Sequence, residues 1–166
     1  MFDMDEIKAQ WAMQRPDLNT GPMELIGRLI RLAAHLSQEM GETFSLHGLS
    51  AASFDVLATL LRSGPPHALS PNQLLATMMV TSGTMTNRID QLEKDGLVAR
   101  VQNPSDKRSV LIKLTEKGHR IIDEAVTEHV KTQTRLVSVI ADGERAKLNA
   151  LLRSYLTSIE AAQKAD

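Results

Sequence analysis

The sequence predicts a mainly α-helical chain with one small β-hairpin. Three observations predict it. Apolar residues recur at three- and four-residue steps over most of the 166 residues. That period gives way to a strand-like pattern once, around residues 97–114. Hydrophobic residues make up 42% of the chain and aromatic residues only 3%, so the core is aliphatic, the chemistry that fills helix interfaces well.

Met4 to Arg15 reads as a short helix holding the only tryptophan, Trp11. Arg15 to Pro22 (RPDLNTGP) is loop-like, because Pro and Gly break the period. A long helix follows, with Ile26, Leu29, Ile30, Ala33, Leu36 and Met40 on one face, and ends near Gly48. Ser50 is a good N-cap for a third helix carrying Phe54, Leu57, Ala58 and Leu61, which Ser63-Gly-Pro-Pro66 stops. Ser70-Pro71-Asn72-Gln73 combines an N-cap, Pro at the first helical position and Gln at the capping-box position. It opens a short helix ending near Met79. Thr81 caps a helix to about Asp95, and Gly96 stops it. Leu97–Val101 and Ser109–Leu114 read as strands around a polar turn, residues 102–108. Thr115 caps the next helix, with Ile121, Ile122, Ala125 and Val126 on one side. Asp142 caps the last, whose Leu148, Leu151, Leu152, Tyr155, Leu156 and Ile159 form an apolar stripe.

Composition removes several classes. There is no cysteine, so disulfide scaffolds, thiolate zinc sites and thiol-oxidation switches are excluded. No apolar run approaches the roughly 20 residues of a membrane span. The first ten residues carry Asp3, Asp5 and Glu6 and no apolar signal core, so a cytoplasmic protein is expected. The five histidines (His35, His47, His67, His119, His129) lack metal-like spacing, and there is no phosphate-cradling Gly loop or nucleophile elbow. No catalytic residue, metal or cofactor is expected.

The net charge is −1, but it is unevenly spread. Residues 84–120 hold eight basic and five acidic side chains, a local +3 on an otherwise acidic body. Phosphate contacts depend on such a local field rather than on total charge. The order of elements over 50–114 is helix, short helix, turn, helix, hairpin: a winged helix-turn-helix. Its second helix would enter a major groove of duplex DNA. There Ser82, Gly83, Thr84, Thr86 and Asn87 bring short polar groups to phosphates and base edges, and Arg88 reaches guanine or a phosphate. At the hairpin, Asp106 and Arg108 are two residues apart, with Lys107 between them, so an acid can orient the guanidinium for a minor groove. Read alone, the Ser/Thr-rich helix start is also a capping sequence and residues 106–108 a solvated turn. A winged helix serving only protein–protein contact is the alternative function.

Ser82-Gly-Thr-Met-Thr-Asn-Arg-Ile-Asp-Gln-Leu-Glu-Lys-Asp-Gly-Leu-Val-Ala-Arg100, then Asn103-Pro-Ser-Asp-Lys-Arg-Ser109, then Leu114-Thr-Glu-Lys-Gly118, resembles the MarR family of bacterial regulators. The resemblance spans roughly residues 22–160. It implies a triangular homodimer in which residues 22–48 and 115–163 interlock as N- and C-terminal dimerisation helices. It also implies one winged lobe per subunit (50–114), an extra N-terminal helix (1–20), a pseudo-palindromic site and, usually, repression without catalysis. Within the family, Trp11, His35, Asp55, Arg62 and Arg100 look like the pattern of the urate-responsive branch, where Trp and Arg hold an anionic purine and an Asp–Arg network reaches the DNA lobe. A small anionic or aromatic effector is the expectation that follows. The bland reading of the same residues is ordinary ion pairs, with Trp11 covering the dimer core.

Overall fold

The structure, a computed structural model, describes residues 4–78 and 82–165, with the side chains of Ser82 and Ala165 outside that description. The elements in chain order are α1 (Met4–Gln14), α2 (Gly21–Leu46), α3 (Ala51–Arg62), β1 (Ala68–Leu69), α4 (Pro71–Met78), α5 (Ser82–Lys94), β2 (Val98–Asn103), β3 (Asp106–Leu114), α6 (Glu116–Val137) and α7 (Asp142–Ala165). They divide into two compact units, Met1–His129 and Val130–Asp166. Among the described residues no single helix is long and apolar enough to cross a membrane.

Caps predicted from sequence are made where they can be seen. The Ser50 side chain accepts from Ser53 N at 3.1 Å. Ser70 and Gln73 close a reciprocal box: Gln73 N donates to Ser70 Oγ at 3.3 Å and Ser70 N to Gln73 Oε1 at 2.8 Å. Thr115 Oγ1 accepts from Gly118 N at 2.9 Å. The expected Thr81 cap and the helix end at Met79 lie outside the described residues. α2 and α5 end alike, with Gly48 (φ 68°) and Gly96 (φ 70°) in the left-handed region. In each, the next residue's N–H returns to the turn below: Leu49 N to Phe44 O and Leu97 N to Leu92 O. A side chain at either glycine would be strained.

The structure differs from the sequence reading at four places. α2 begins at Gly21, so Pro22 lies in its first turn rather than in the loop. Asp142 is the first residue of α7, not its cap; it pairs with Arg145 at 3.0 Å, one turn on. The hairpin is joined by a third strand: β1 pairs with β3, giving the order β1-β3-β2, all antiparallel. Two residues between Pro65-Pro66 and Ser70-Pro71 are too short to show a period. The predicted turn of residues 102–108 shrinks to Pro104-Ser105, because Asn103 pairs directly with Asp106.

The core of the first unit is aliphatic, as composition demands. Val56, Leu57 and Leu60 of α3 meet Leu74, Met85, Ile89, Leu92, Ile112, Ile122 and Ala125 with essentially no exposed surface. Gly118 is where the start of α6 meets the residue before β2: a Cβ there would stand 1.9 Å from Leu97 O. Two ion pairs cross from α1 to α2, Lys8–Glu24 at 2.7 Å and Arg28–Asp5 at 2.8 Å, while Arg28 also bonds Glu24 within α2. Within the second unit, Leu148, Leu151, Leu152, Tyr155, Leu156 and Ile159 of α7 are all exposed.

Candidate nucleic-acid interface

α5 is amphipathic in the sense its position requires. Met85, Ile89 and Leu92 point into the core. Gly83, Thr84, Thr86 and Asn87 are exposed and Arg88 is half-buried. The helix therefore offers a small, hydroxyl- and amide-bearing first turn at its positive end, where backbone N–H groups favour phosphate. A Cβ built on Gly83 meets nothing within 4 Å, so no packing among the described residues requires glycine there.

The wing has a built tip. Gln102 pairs with Val110 and Asn103 with Asp106, so residues 107–109 have no ladder partners on β2 and bulge outwards. Lys107 and Arg108 are thus strand residues thrown out by a register shift, not members of a turn. Side chains brace the bulge. Asn103 Nδ2 donates to Ser109 Oγ at 2.9 Å, Ser109 Oγ to Asp106 O at 3.0 Å, and Arg108 N to Asp106 Oδ1 at 3.1 Å. The same Oδ1 lies 3.5 Å from Arg108 Nε, while the Arg108 side chain is 94% exposed. Such an exposed pair adds little stability and chiefly orients the guanidinium.

Arg100 on β2 fastens the wing to α5. It bonds Asp90 at 2.5 Å and also Glu93, whose Oε1 accepts the Arg100 N–H at 3.1 Å. Those carboxylates, Asp90 foremost, raise its pKa further.

Behind α5 lies a second polar group. Phe44 and Phe54 stack with centroids 4.1 Å apart, and the His129 ring leans on both at 5.1 and 4.9 Å. His129 Nδ1 is buried with no hydrogen-bond partner among the described residues, and burial lowers its pKa against a smaller upward pull from Asp55. Asp55 keeps solvent contact, yet desolvation is the largest influence on it and pushes its carboxyl up. The charges of Arg88, His129 and Arg62 pull it back down, in that order. Asp55 thus sits in the field of Arg88 on α5.

The profile of the MarR family matches residues 49–110. The chain is 39% identical over 151 residues to the HTH-type transcriptional regulator PecS of Dickeya dadantii (strain 3937), covering 91% of each protein. It belongs to the MarR family. The transcriptional repressor MprA of Escherichia coli (strain K12) is 26% identical over 136 residues, 80% of this chain and 77% of that one. The crystal structure of a cysteine-to-serine mutant of MarR from E. coli complexed with operator DNA superposes with a TM-score of 0.70 at 29% identity, covering 82% of this chain and 97% of that one. This MarR-family chain is a regulator of transcription and not an enzyme.

The five residues expected to hold an effector in this MarR-family chain are dispersed. Asp55 and Arg62 share a field, and Arg62 also donates to Thr59 Oγ1 at 3.3 Å. Trp11 lines a crevice between α1 and α2 of only about 10 Å³, with Ile7, Lys8, Thr20 and Glu24 among its walls. That space is far too small for a purine. His35 is exposed on α2, and Arg100 is engaged with α5. Sequence reading missed His129 and the link from Asp55 to Arg88. The signal available was the Phe54-Asp55 pair on a helix otherwise bound for the core.

Proposed function

We propose that the chain works in the cytoplasm as a homodimeric, ligand-released repressor of duplex DNA. Residues 22–48 and 115–163 join two subunits. α5 enters the major groove with Ser82, Gly83, Thr84, Thr86, Asn87 and Arg88, and Asp106, Lys107 and Arg108 take the wing to the adjacent minor groove. Two lobes read half-sites about 34–36 Å apart, one helical turn. The observation that carries this reading is the exposed polar row of α5 beside a braced wing whose Arg108 leans on Asp106 alone among the described residues. The relatives that regulate transcription support it, as does the fold shared with a protein solved on its operator.

Release runs through Asp55. A small anionic or aromatic effector that engages Arg62, with Trp11, His35 and Arg100 as the remaining candidate contacts, changes the field at Asp55 and so the restraint on Arg88. Selection of bound fragments from a random DNA pool should yield an inverted repeat. Urate and salicylate, added to that complex, should lower its affinity in the native protein and not in Asp55→Asn. A selected pool without symmetry counts against the dimeric reading. Release that persists in Asp55→Asn removes the role given to Asp55.

A further inference from the structure

A pocket of about 310 Å³ opens where the loop before β1, the end of β3 and the start of α6 converge. Its polar walls are His67, Lys113, His119 and Arg120, with Pro66 and Leu114 as apolar lining. We propose that it is a binding site for a small oxyanion, a carboxylate or phosphate ester, separate from both the DNA surface and the Asp55 group.

Charge is the first argument. Lys8, Arg15, Arg28, Arg100, Arg108 and Arg145 each reach a carboxylate. Among the described residues the Lys113 and Arg120 side chains reach none, although Glu116 stands on the same wall. Two cations face one acid along this wall, an excess of one positive charge. Lys113 and Arg120 are exposed at the rim of this open pocket, where their charge can meet an anion from solvent.

Rigidity is the second. His67 has φ 55°, a conformation that a non-glycine residue holds only when its surroundings impose it. Here they do: His67 N donates to Gly64 O at 2.7 Å and its carbonyl accepts from Leu114 N at 3.1 Å. Its ring Nδ1 lies 3.1 Å from Leu61 O, a bond in which Nδ1–H donates, so the ring can bond an oxyanion through Nε2 only when that nitrogen also carries a proton. The His119 ring meets it edge to face at 5.1 Å. Three elements therefore present fixed imidazoles and mobile cations to one space, whose volume suits a small ligand. An anion seated there would tie β3, the strand that carries Arg108 at its other end, to α6.

Histidine-ring NMR of the full chain without DNA tests the site, using inorganic phosphate and then benzoate, with chloride balancing the ionic strength. The ring signals of His67 and His119 should shift together and saturate at one anion per chain with at least one of the two probes. Lys113→Ala/Arg120→Ala should weaken binding by about tenfold or more, the scale of one lost charge-assisted bond. Glu116→Gln, which removes the acid from the wall, should tighten it. Drift that never saturates with either probe, or saturation that neither variant alters, overturns the proposal. The two variants act in opposite directions, so misfolding of one leaves the other decisive.

Discussion

In the DNA surface proposed above, Arg108 and Gly83 would act through what they lack: the Arg108 side chain is 94% exposed, and Gly83 has no side chain. Gly83 stands in the first turn of α5 with open space where a Cβ would go. Gly83→Ala should leave thermal stability unchanged or raise it by up to about 1 kcal/mol, the helix-propensity difference. The same change should weaken operator binding several-fold, because a methyl group then stands between helix backbone and phosphate. Equal affinity for the two proteins would show that the backbone does not approach DNA there. His129 makes a pH prediction. Its folded value lies below the ordinary imidazole value of 6.5, so the unfolded chain takes up the proton first as pH falls. Stability is then lost as pH drops below about 6.5. Asp55, shifted upwards from 3.8, acts with the opposite sign. Melting temperatures at pH 7.5 and 5.5 should fall less for His129→Phe, which keeps the flat ring against Phe44 and Phe54, than for the native protein. Arg108 was legible because its relation to Asp106 is local. The neighbourhood of Asp55, Arg88 and His129 was not, because it exists only once α3, α5 and α6 have packed.

At the scale of elements, sequence and structure agree at most places where a short-range rule decides, the start of α2 and the expected Asp142 cap excepted. The Ser50, Ser70 and Thr115 caps and the Gly48 and Gly96 stops all follow from bonds within one turn of helix. The other disagreements come where pairing between elements decides. β1 is a strand only because Ala68 and Leu69 lie opposite Lys113 and Ile112. The wing bulge is invisible until Gln102 and Asn103 choose partners. Gly118 combines both kinds. Leu97 O accepts from Thr115 N at 3.1 Å and Thr115 Oγ1 at 3.2 Å while α6 crosses it at Gly118. The carbonyl cannot retreat from a Cβ without losing both bonds. Gly118→Ala should cost about 3 kcal/mol, the upper range of overpacking changes. Urea unfolding of that variant at native midpoint would mean that the junction yields freely.

The whole molecule leaves apolar surface that a lone chain does not explain. On α2, Leu25, Ile26 and Ile30 are exposed; on α7, Leu151 is 69% and Leu156 59% exposed. Monomeric proteins rarely leave contiguous stripes of this kind, and a second subunit is the natural cover. Leu151→Glu/Leu156→Glu, at sites that are exposed within the chain, should give a folded monomer by light scattering. Its affinity for a two-half-site operator should fall by at least about tenfold. A dimer that persists would move the interface elsewhere. Dimerisation was readable in the sequence only as a stripe too apolar for solvent, since periodicity shows which residues share a face and not what covers it. The effector set was least legible of all, because five residues on four elements were matched by type while their geometry depends on assembly.

The exposed face of α5 and the braced wing are proposed to bind duplex DNA together. Fluorescence anisotropy on a selected operator, repeated across salt concentrations for the native protein and Arg108→Ala, tests this most directly. Native binding should be tight and should fall steeply and linearly on log–log axes as salt rises. The variant should bind more weakly and have a slope smaller by about one for each Arg108 removed from phosphate. Saturable native binding that is absent even at low salt, or an Arg108→Ala isotherm that overlays the native one at every salt concentration, would contradict it.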